Sequence, residues 1–163
     1  MQIGVVSDTH NNLNNIDRII SLFNEEEVPL VIHTGDIASA KSLEKFSKLD
    51  SKLVGVYGNN DRKEKGIKEI AESNDFSFQE PPKKLSLCNK NIAIFHEPDC
   101  IDSYLSQNED IDIVIHGHTH RYRNETKNGI LFFNPGESAG MNSGKNAIGL
   151  LDLISVEARR VFF

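Results

Sequence analysis

The chain has 163 residues and a mass of 18.3 kDa, the size of one domain rather than two, and we expect residues 1–163 to form a single domain. Charged residues make up 26% and hydrophobic residues 38%, which excludes disordered, collagen-like and low-complexity chains. The formal net charge is −6 and no basic stripe is present, which argues against a protein that binds nucleic acid by neutralising its phosphates. Two cysteines are too few for a disulfide framework, and no apolar run approaches the ~20 residues of a membrane span, so we expect a cytoplasmic protein without a membrane partner.

The first half of the chain alternates short apolar runs with amphipathic segments. Apolar runs at residues 3–6, 30–32 and 53–57 are typical of buried strands. Apolar residues at helical spacing lie between and after them: Leu13, Ile16, Ile20 and Phe23; then Leu43, Phe46 and Leu49; then Ile67, Ile70 and Ala71. Strands that alternate with helices predict a parallel sheet built from βαβ units.

The second half is richer in strands. Residues 85–87 and 92–95 flank Asn89-Lys90-Asn91, which predicts a hairpin. A short helix around Tyr104-Leu105 and a strand at 111–115 follow. Asn128-Gly129 is the strongest hairpin turn of the chain, and strands at 148–154 and 156–163 complete it. The sequence therefore predicts an α/β fold with a parallel N-terminal part and a mixed or antiparallel C-terminal part.

Five of the predicted strands are followed by side chains that can bind metals. They are Asp8 and His10; Asp36; Asn59, Asn60 and Asp61; His96 and Glu97; and His116, His118 and His120. Ligands of open α/β sheets bind outside the carboxyl ends of the strands, so these loops are expected to converge on one crevice. All six histidines of the chain lie in or beside them.

The donor set combines carboxylate and amide oxygens with imidazole nitrogens and contains no thiolate. Such a set suits divalent manganese, zinc, iron or nickel better than copper(I) or an iron–sulfur cluster. Seven of these residues are the candidate ligands: Asp8, His10, Asp36, Asn59, His96, His118 and His120. Seven ligands are too many for one tetrahedral ion and about right for two ions that share a carboxylate, an arrangement used for displacement at phosphorus.

The order of these motifs is specific. Asp8-x-His10, Gly35-Asp36, Gly58-Asn59-x-Asp61, His96 and Gly117-His118-x-His120 occur in that order, and Asn134-Pro135-Gly136 follows later in the chain. This pattern resembles the calcineurin-like metallophosphoesterases, and the total length resembles their small single-domain microbial phosphodiesterases. The resemblance covers essentially the whole chain. It implies a two-sheet αββα sandwich of the metallophosphoesterase type.

The resemblance also implies a ligand set and a chemistry. One ion would be held by Asp8, His10, Asp36 and His120, and the second by Asp36, Asn59, His96 and His118, with Asp36 as the bridge. A metal-bridging hydroxide would hydrolyse a small phosphodiester. Mn²⁺ is the first expectation for both ions, with Ni²⁺, Zn²⁺, Fe²⁺ and Mg²⁺ as alternatives.

Two positions depart from the family pattern. Asn60 stands where many members carry a histidine that would protonate the leaving group, so we expect weaker general-acid help. Glu97 stands where glycine is common, and it would either orient an imidazole or crowd the substrate. We expect Asp36, Asn60 and Asp61 to be the catalytic residues of the chain.

The remaining histidines are interpreted from their positions. If the segment is extended, His118 and His120 point to the same side and reach one site, and His116 shares that parity. His116 is thus a rival ligand, although a hydrogen-bonding role beside the ligands is the preferred interpretation. We expect His33 to be structural.

Two other functions compete with the phosphodiesterase. One is a catalytically weak or inactive protein-binding scaffold, because the retromer scaffold subunit resembles this fold but has altered ligand positions. The other is a nuclease of the same superfamily, against which the length and the charge of −6 argue. The composition permits a homodimer without requiring one.

Overall fold

The computed structural model describes residues 1–141 and 146–163. The strands are β1 Gln2–Val6, β2 Leu30–His33, β3 Lys52–Val56, β4 Ser77–Gln79, β5 Lys83–Leu87, β6 Lys90–Ile94, β7 Ile113–Ile115, β8 Arg123–Lys127, β9 Ile130–Asn134, β10 Ala147–Asp152 and β11 Glu157–Phe162. The helices are α1 Leu13–Glu25, α2 Ala40–Lys45, α3 Ile67–Ser73 and α4 Ile101–Leu105, and a 3₁₀ turn, Phe46–Lys48, continues α2.

The strands form a six-stranded and a five-stranded sheet. The six-stranded sheet has the order β11-β10-β1-β2-β3-β4, in which β1 to β4 are parallel and the last two strands of the chain are antiparallel. The five-stranded sheet has the order β5-β6-β7-β9-β8, with a parallel centre of β6, β7 and β9 between two antiparallel edge strands. The carboxyl ends of the parallel strands in each sheet therefore meet at one edge.

Three apolar clusters fix the layers. The central cluster joins the facing sides of the two sheets, with Ile3 and Ile32 from one sheet and Ile94 and Phe133 from the other. Helices α1, α2 and α3 cover the outer face of the six-stranded sheet, and α4 covers part of the outer face of the other. Together these clusters hold more than thirty buried apolar side chains, and such burial is the main driving force of folding. The layers are those of an αββα sandwich, as predicted.

Helix α1 shows how the sequence dictates one of these layers. Asn12 is its N-cap, and the side chain accepts a hydrogen bond from the backbone N–H of Asn15. Ile16, Ile20 and Phe23 recur at helical spacing and are buried against the sheet. The N-terminal end of α1 lies beside the loop that follows β1, so the helix supports the strand end that carries Asp8 and His10.

Three details of the predicted elements are corrected. The edge strand β4 was not predicted, because only three residues pair and their exposure alternates. The β5–β6 hairpin turns at Cys88-Asn89, both with positive φ, rather than at Asn89-Lys90-Asn91. Strand β7 begins at Ile113 instead of 111. The C-terminal hairpin of β10 and β11 extends the six-stranded sheet beside β1, a pairing that the sequence did not specify. Among the described residues, no helix combines the length and apolar content that a membrane crossing requires.

Candidate metal centre

The predicted donors converge at the carboxyl ends of five strands. Loops after β1, β2 and β3 of one sheet face loops after β6 and β7 of the other. Backbone hydrogen bonds fix the loops against one another. The N–H of Asp8 donates to the carbonyl of Gly35 at 3.1 Å, and the N–H of Gly117 donates to the carbonyl of His96 at 3.1 Å. The site thus lies outside the carboxyl ends of the parallel strands of both sheets, where open α/β sheets bind their ligands.

The first group of donors consists of Asp8, His10 and His120. The Nε2 atoms of the two imidazoles are 3.3 Å apart. The Oδ1 atom of Asp8 is 3.5 Å from Nε2 of His120 and 3.8 Å from Nε2 of His10. Three donor atoms therefore face one small volume, and the carboxylate among them is fully buried.

The second group of donors consists of Asn59, His96 and His118. Nε2 of His96 lies 3.0 Å from Oδ1 of Asn59, and Nδ1 of His118 lies 3.1 Å from the same oxygen. The Nδ1 atom of His96 faces the carbonyl oxygen of Thr34 at 2.8 Å, so a proton on Nδ1 leaves the lone pair on Nε2 directed at the group.

Asp36 lies between the two groups. Its Oδ1 atom is 3.4 Å from Nε2 of His96, and its Oδ2 atom is 3.7 Å from Nε2 of His10. The two oxygens of one carboxylate therefore face different groups of donors. A carboxylate whose oxygens face two groups of donors is able to bridge two ions.

The residues fit divalent cations. In the described part of the chain, Oδ1 of Asp8 is buried and has no hydrogen-bond partner, although an unpaired buried carboxylate oxygen is costly. The facing Nε2 atoms of His10 and His120 also leave at most one proton between them. Two imidazoles and a carboxylate that converge in this way are able to hold a cation, and the mixed oxygen and nitrogen set suits a borderline divalent metal.

The backbone is strained where the ligands are. Five of the seven candidate ligands have φ in the left-handed region: Asp8, His10, Asp36, His118 and His120, with values between 41° and 66°. This conformation costs about 1–3 kcal/mol for a non-glycine residue and clusters at functional sites. It also corrects the expectation of an extended segment at His118 and His120. The bend there sends His118 to the second group and His120 to the first.

Asn60 and Asp61 form hydrogen bonds with Asp36 and its loop. The side-chain amide of Asn60 donates to Oδ2 of Asp36 at 2.7 Å, and its backbone N–H donates to Oδ1 at 3.0 Å. The carboxylate of Asp61 accepts from the backbone N–H groups of Asp36, Gly58 and Ala38 at 2.7–2.8 Å. Asp61 is thus buried, and both of its oxygens are engaged by the backbone of two loops.

The electrostatics differ among the buried carboxylates. Burial raises the pKa of Asp8 and outweighs the hydrogen bond from Ser7. Burial also raises the pKa of Asp61, despite its backbone hydrogen bonds. For Asp36, burial is outweighed by the hydrogen bond and charge of His96 and by the hydrogen bonds from Asn60, which hold its pKa well below the usual range. The carboxylate between the groups therefore stays ionised.

His33 and His116 lie outside both groups. The Nδ1 atom of His33 accepts from the N–H of Gly35 at 3.1 Å, and its Nε2 faces Oγ1 of Thr9, so this imidazole holds two loops together. His116 contacts the carbonyl of Gly117 at 3.1 Å and the guanidinium of Arg123 at 3.5 Å. Burial lowers the pKa of His33 to about 3 and that of His116 to about 4.

Glu97 contacts an arginine rather than an imidazole. Its Oε2 accepts from Nη2 of Arg62 at 3.0 Å, and the same guanidinium pairs with Glu80. Arg62 and Glu97 border a surface pocket of about 330 Å³, together with Pro82. Glu97 is therefore paired with a guanidinium, and its relation to a substrate stays a prediction.

Sequence reasoning missed Glu137. This carboxylate is 2% exposed, and its Oε2 lies 3.5 Å from Nδ1 of His120. The residue directly follows Asn134-Pro135-Gly136, the late loop already identified in the sequence. A glutamate next to such a loop was the available signal, but nothing in the sequence indicated that it would be buried.

The fold and the converging donors define a class of protein, an α/β sandwich with candidate metal-binding groups at its strand ends. The family profile of the calcineurin-like phosphoesterase superfamily domain matches residues 1–155. The chain is 33% identical over 163 residues to phosphodiesterase MJ0936 of Methanocaldococcus jannaschii, which covers 99% of this chain and 98% of that protein. The chain therefore belongs to the calcineurin-like phosphoesterase superfamily.

Other relatives agree with this assignment. Phosphodiesterase YfcE of Escherichia coli is 25% identical over 170 residues, which covers 93% of this chain and 88% of that protein. A solved archaeal phosphodiesterase superposes with a TM-score of 0.91 at 32% identity over the full length of both chains. Vps29 from Entamoeba histolytica shares the fold, with a TM-score of 0.72 at 21% identity over 100% of this chain and 99% of that one.

Proposed function

We propose that this protein is a metal-dependent phosphodiesterase that uses two divalent ions. The observation that carries the proposal is the position of Asp36, whose two oxygens face two different groups of donors. The names of the relatives, phosphodiesterase MJ0936 and phosphodiesterase YfcE, support a diester as the substrate. The expected substrate is a small phosphodiester, since the net charge of −6 disfavours a long polyanion.

The proposed ligand set divides the donors between two ions. Asp8, His10, Asp36 and His120 would hold one ion, and Asp36, Asn59, His96 and His118 would hold the other. Mn²⁺ is the proposed metal, because the mixed set lacks thiolates that would select softer ions. When bound, two such ions would supply Lewis acidity to the phosphate oxygens and lower the pKa of water to near neutrality.

The side chains of the chain itself have separate tasks. Asp36 provides the shared negative charge, and the two hydrogen bonds from Asn60 orient its oxygens. Asp61 holds the loops of Asp36 and Gly58 in contact and acts on the site through them. The amide of Asn60 cannot deliver a proton to a leaving group, and the sequence of its loop, residues 58–65, contains no histidine. Diesters with acidic leaving groups are therefore the preferred substrates.

The test is hydrolysis of an aryl phosphodiester and the matched monoester by the purified protein, with Mn²⁺ and with a chelator. We expect diesterase activity only with metal. Asp36→Asn and His118→Ala should lower kcat/KM by about a hundredfold or more, with the fold retained by circular dichroism. Glu125→Gln, on the exposed face of β8, serves as the control and should keep full activity. Full activity in both site variants would refute the proposal.

The scaffold alternative retains one supporting observation, the fold shared with Vps29. Tyr122 and Phe162 are exposed apolar side chains that a partner could cover, at 43% and 54% exposure. All seven proposed ligand positions nevertheless hold competent donors, which favours the enzyme. Turnover of no phosphoester by the metal-loaded protein would favour the scaffold.

Three further expectations complete the proposal. We propose that residues 1–163 act as one domain, that the protein works in the cytoplasm, and that neither a nucleic-acid polymer nor a membrane is its partner. A homodimer remains compatible with the composition. Sedimentation analysis of the metal-loaded protein measures the oligomeric state directly.

A further inference from the structure

The two ring nitrogens of His120 have different surroundings. Its Nε2 atom is directed at the first group of donors, 3.5 Å from Oδ1 of Asp8 and 3.3 Å from Nε2 of His10. Its Nδ1 atom is directed away from them, and it lies 3.5 Å from Oε2 of Glu137. The ring therefore lies between the buried carboxylate of Glu137 and the other donors of the first group, Asp8 and His10.

Glu137 is held firmly in this place. The segment is anchored to strand β10 and to the loop that follows β1, because the N–H of Ala147 donates to the carbonyl of Glu137 and the N–H of Ser138 donates to the carbonyl of Asp8, both at 3.4 Å. Helix α1 adds a third anchor through Asn15, whose amide donates to the carbonyl of Ser138 at 2.6 Å. A carboxylate that is 2% exposed cannot be explained as a solvated surface charge.

The histidines of the second group have a different arrangement. The Nδ1 atom of His96 faces a neutral backbone carbonyl, that of Thr34, at 2.8 Å. His118 instead directs its own Nδ1 toward the donors, at 3.1 Å from Oδ1 of Asn59. Of these three histidines, His120 has a carboxylate next to the ring nitrogen that is directed away from the donors. This feature distinguishes the first group from the second.

We propose that Glu137 is a positioning residue for His120, and this rests on the ligand set proposed above. The carboxylate holds the proton of the imidazole on Nδ1, so that the Nε2 lone pair is available to the first ion and the ring plane is fixed. A carboxylate partner also makes the imidazole a stronger donor than a carbonyl partner does. Partners of this kind typically account for about 10–100-fold in metal affinity.

The test measures Zn²⁺ and Mn²⁺ binding by titration calorimetry. His96→Ala provides a background in which the first site is followed separately. In that background, Glu137→Gln should weaken binding about tenfold or more. Ser138→Ala is the matched control, because Ser138 is the next residue in the chain and its hydroxyl donates to the carbonyl of Ala147 in β10; it should bind within about twofold of the background.

A second measurement needs no substitution. Long-range ¹⁵N NMR of the metal-free wild-type protein reports which ring nitrogen of His120 carries the proton. The proposal expects the proton on Nδ1 in the wild type and a mixture of tautomers in Glu137→Gln. A wild-type ring protonated on Nε2, or unchanged metal affinity in Glu137→Gln, would overturn the role of Glu137.

The failure of this role can be separated from a failure of the ligand set. His120→Ala should abolish binding at the first site whatever Glu137 does. If His120→Ala weakens binding and Glu137→Gln does not, the positioning role is wrong and the ligand set stands. If neither variant changes affinity, the assignment of His120 as a ligand is wrong, and the positioning role falls with it.

Discussion

At the scale of single residues, Asp36 shows how a buried carboxylate is kept ionised before any ion arrives. The hydrogen bonds from Asn60 and the neighbouring His96 hold its pKa low against the effect of burial. Asn60 is used for this task, since its amide donates to Oδ2 at 2.7 Å. Asn60 therefore orients both oxygens of the carboxylate that is proposed to bridge the ions.

The first prediction concerns the leaving group. Without a proton donor, the departing oxygen must bear its own negative charge, so kcat/KM should fall steeply as the leaving-group pKa rises. A series of aryl methyl phosphodiesters measures this slope. Asn60→His should flatten the slope and raise the rate for poor leaving groups by up to about 10²-fold. A slope near zero in the wild type would show that another group donates the proton.

The second prediction concerns Asp61. Its carboxylate accepts three buried backbone N–H groups, and the amide of Asp61→Asn would turn a donor toward some of them. We expect the free energy of unfolding to fall by about 2 kcal/mol or more, measured by urea denaturation. Asp17→Asn removes an exposed carboxylate that pairs with Lys45 and should cost less than about 1 kcal/mol. Equal losses in the two variants would contradict the role of Asp61.

At the scale of elements, the site depends on how closely the strand-end loops approach. A Cβ atom on Gly58 would lie 2.2 Å from Oδ1 of Asp36 and 2.4 Å from its backbone nitrogen. A Cβ on Gly117 would lie 2.1 Å from Oγ of Ser7. These glycines are needed because two loops from different strands are in contact there.

The third prediction follows from this contact. Gly58→Ala must displace Asp36, so we expect the affinity for Mn²⁺ to fall about tenfold or more in calorimetry. Gly129→Asn is the control, because the β8–β9 turn has open space at this position and Asn tolerates its positive φ. Wild-type affinity in Gly58→Ala would mean that the loops can separate without loss of the site.

Much of the architecture could be predicted from the pattern of the elements. The strands β1, β2 and β3 and the Asn128-Gly129 hairpin follow from local apolar runs and turn residues, and the strand-end donors follow from the parallel order. Other features depend on contacts distant in sequence. The pairing of β10 with β1 and the burial of Glu137 against His120 have no local signal. The side chains of His118 and His120 reach different groups of donors because both residues have positive φ, and the apolar periodicity of a sequence does not indicate such a conformation.

At the scale of the whole molecule, the acidic balance of the chain and the chemistry of the site agree. The net charge is −6, and the carboxylates of Asp8, Asp36 and Glu137 are buried around the donor groups. Cations bound there would compensate buried negative charge and stabilise the fold by mass action. The local charge of the loaded site then favours a small anion, although the surface as a whole does not.

The fourth prediction concerns acid stability of the metal-free protein. The pKa of His33 is about 3 in the folded state and 6.5 for the unperturbed group. As the pH falls below 6.5, the unfolded chain takes up a proton that the folded chain does not, so stability is lost progressively down to about pH 3. His33→Gln should reduce the slope of unfolding free energy against pH by one proton. If unfolding free energy depends on pH in the same way in the wild type and in His33→Gln, the imidazole of His33 is not buried in its neutral form.

The central claim is that two ions share Asp36, and the stoichiometry of Mn²⁺ binding tests it most directly. Calorimetric titration of the metal-free protein, checked by elemental analysis of the loaded form, should give two ions per chain. Asp36→Asn should weaken both binding steps, whereas His118→Ala should weaken one. A single ion per chain, or no more than trace metal after reconstitution, would contradict the account.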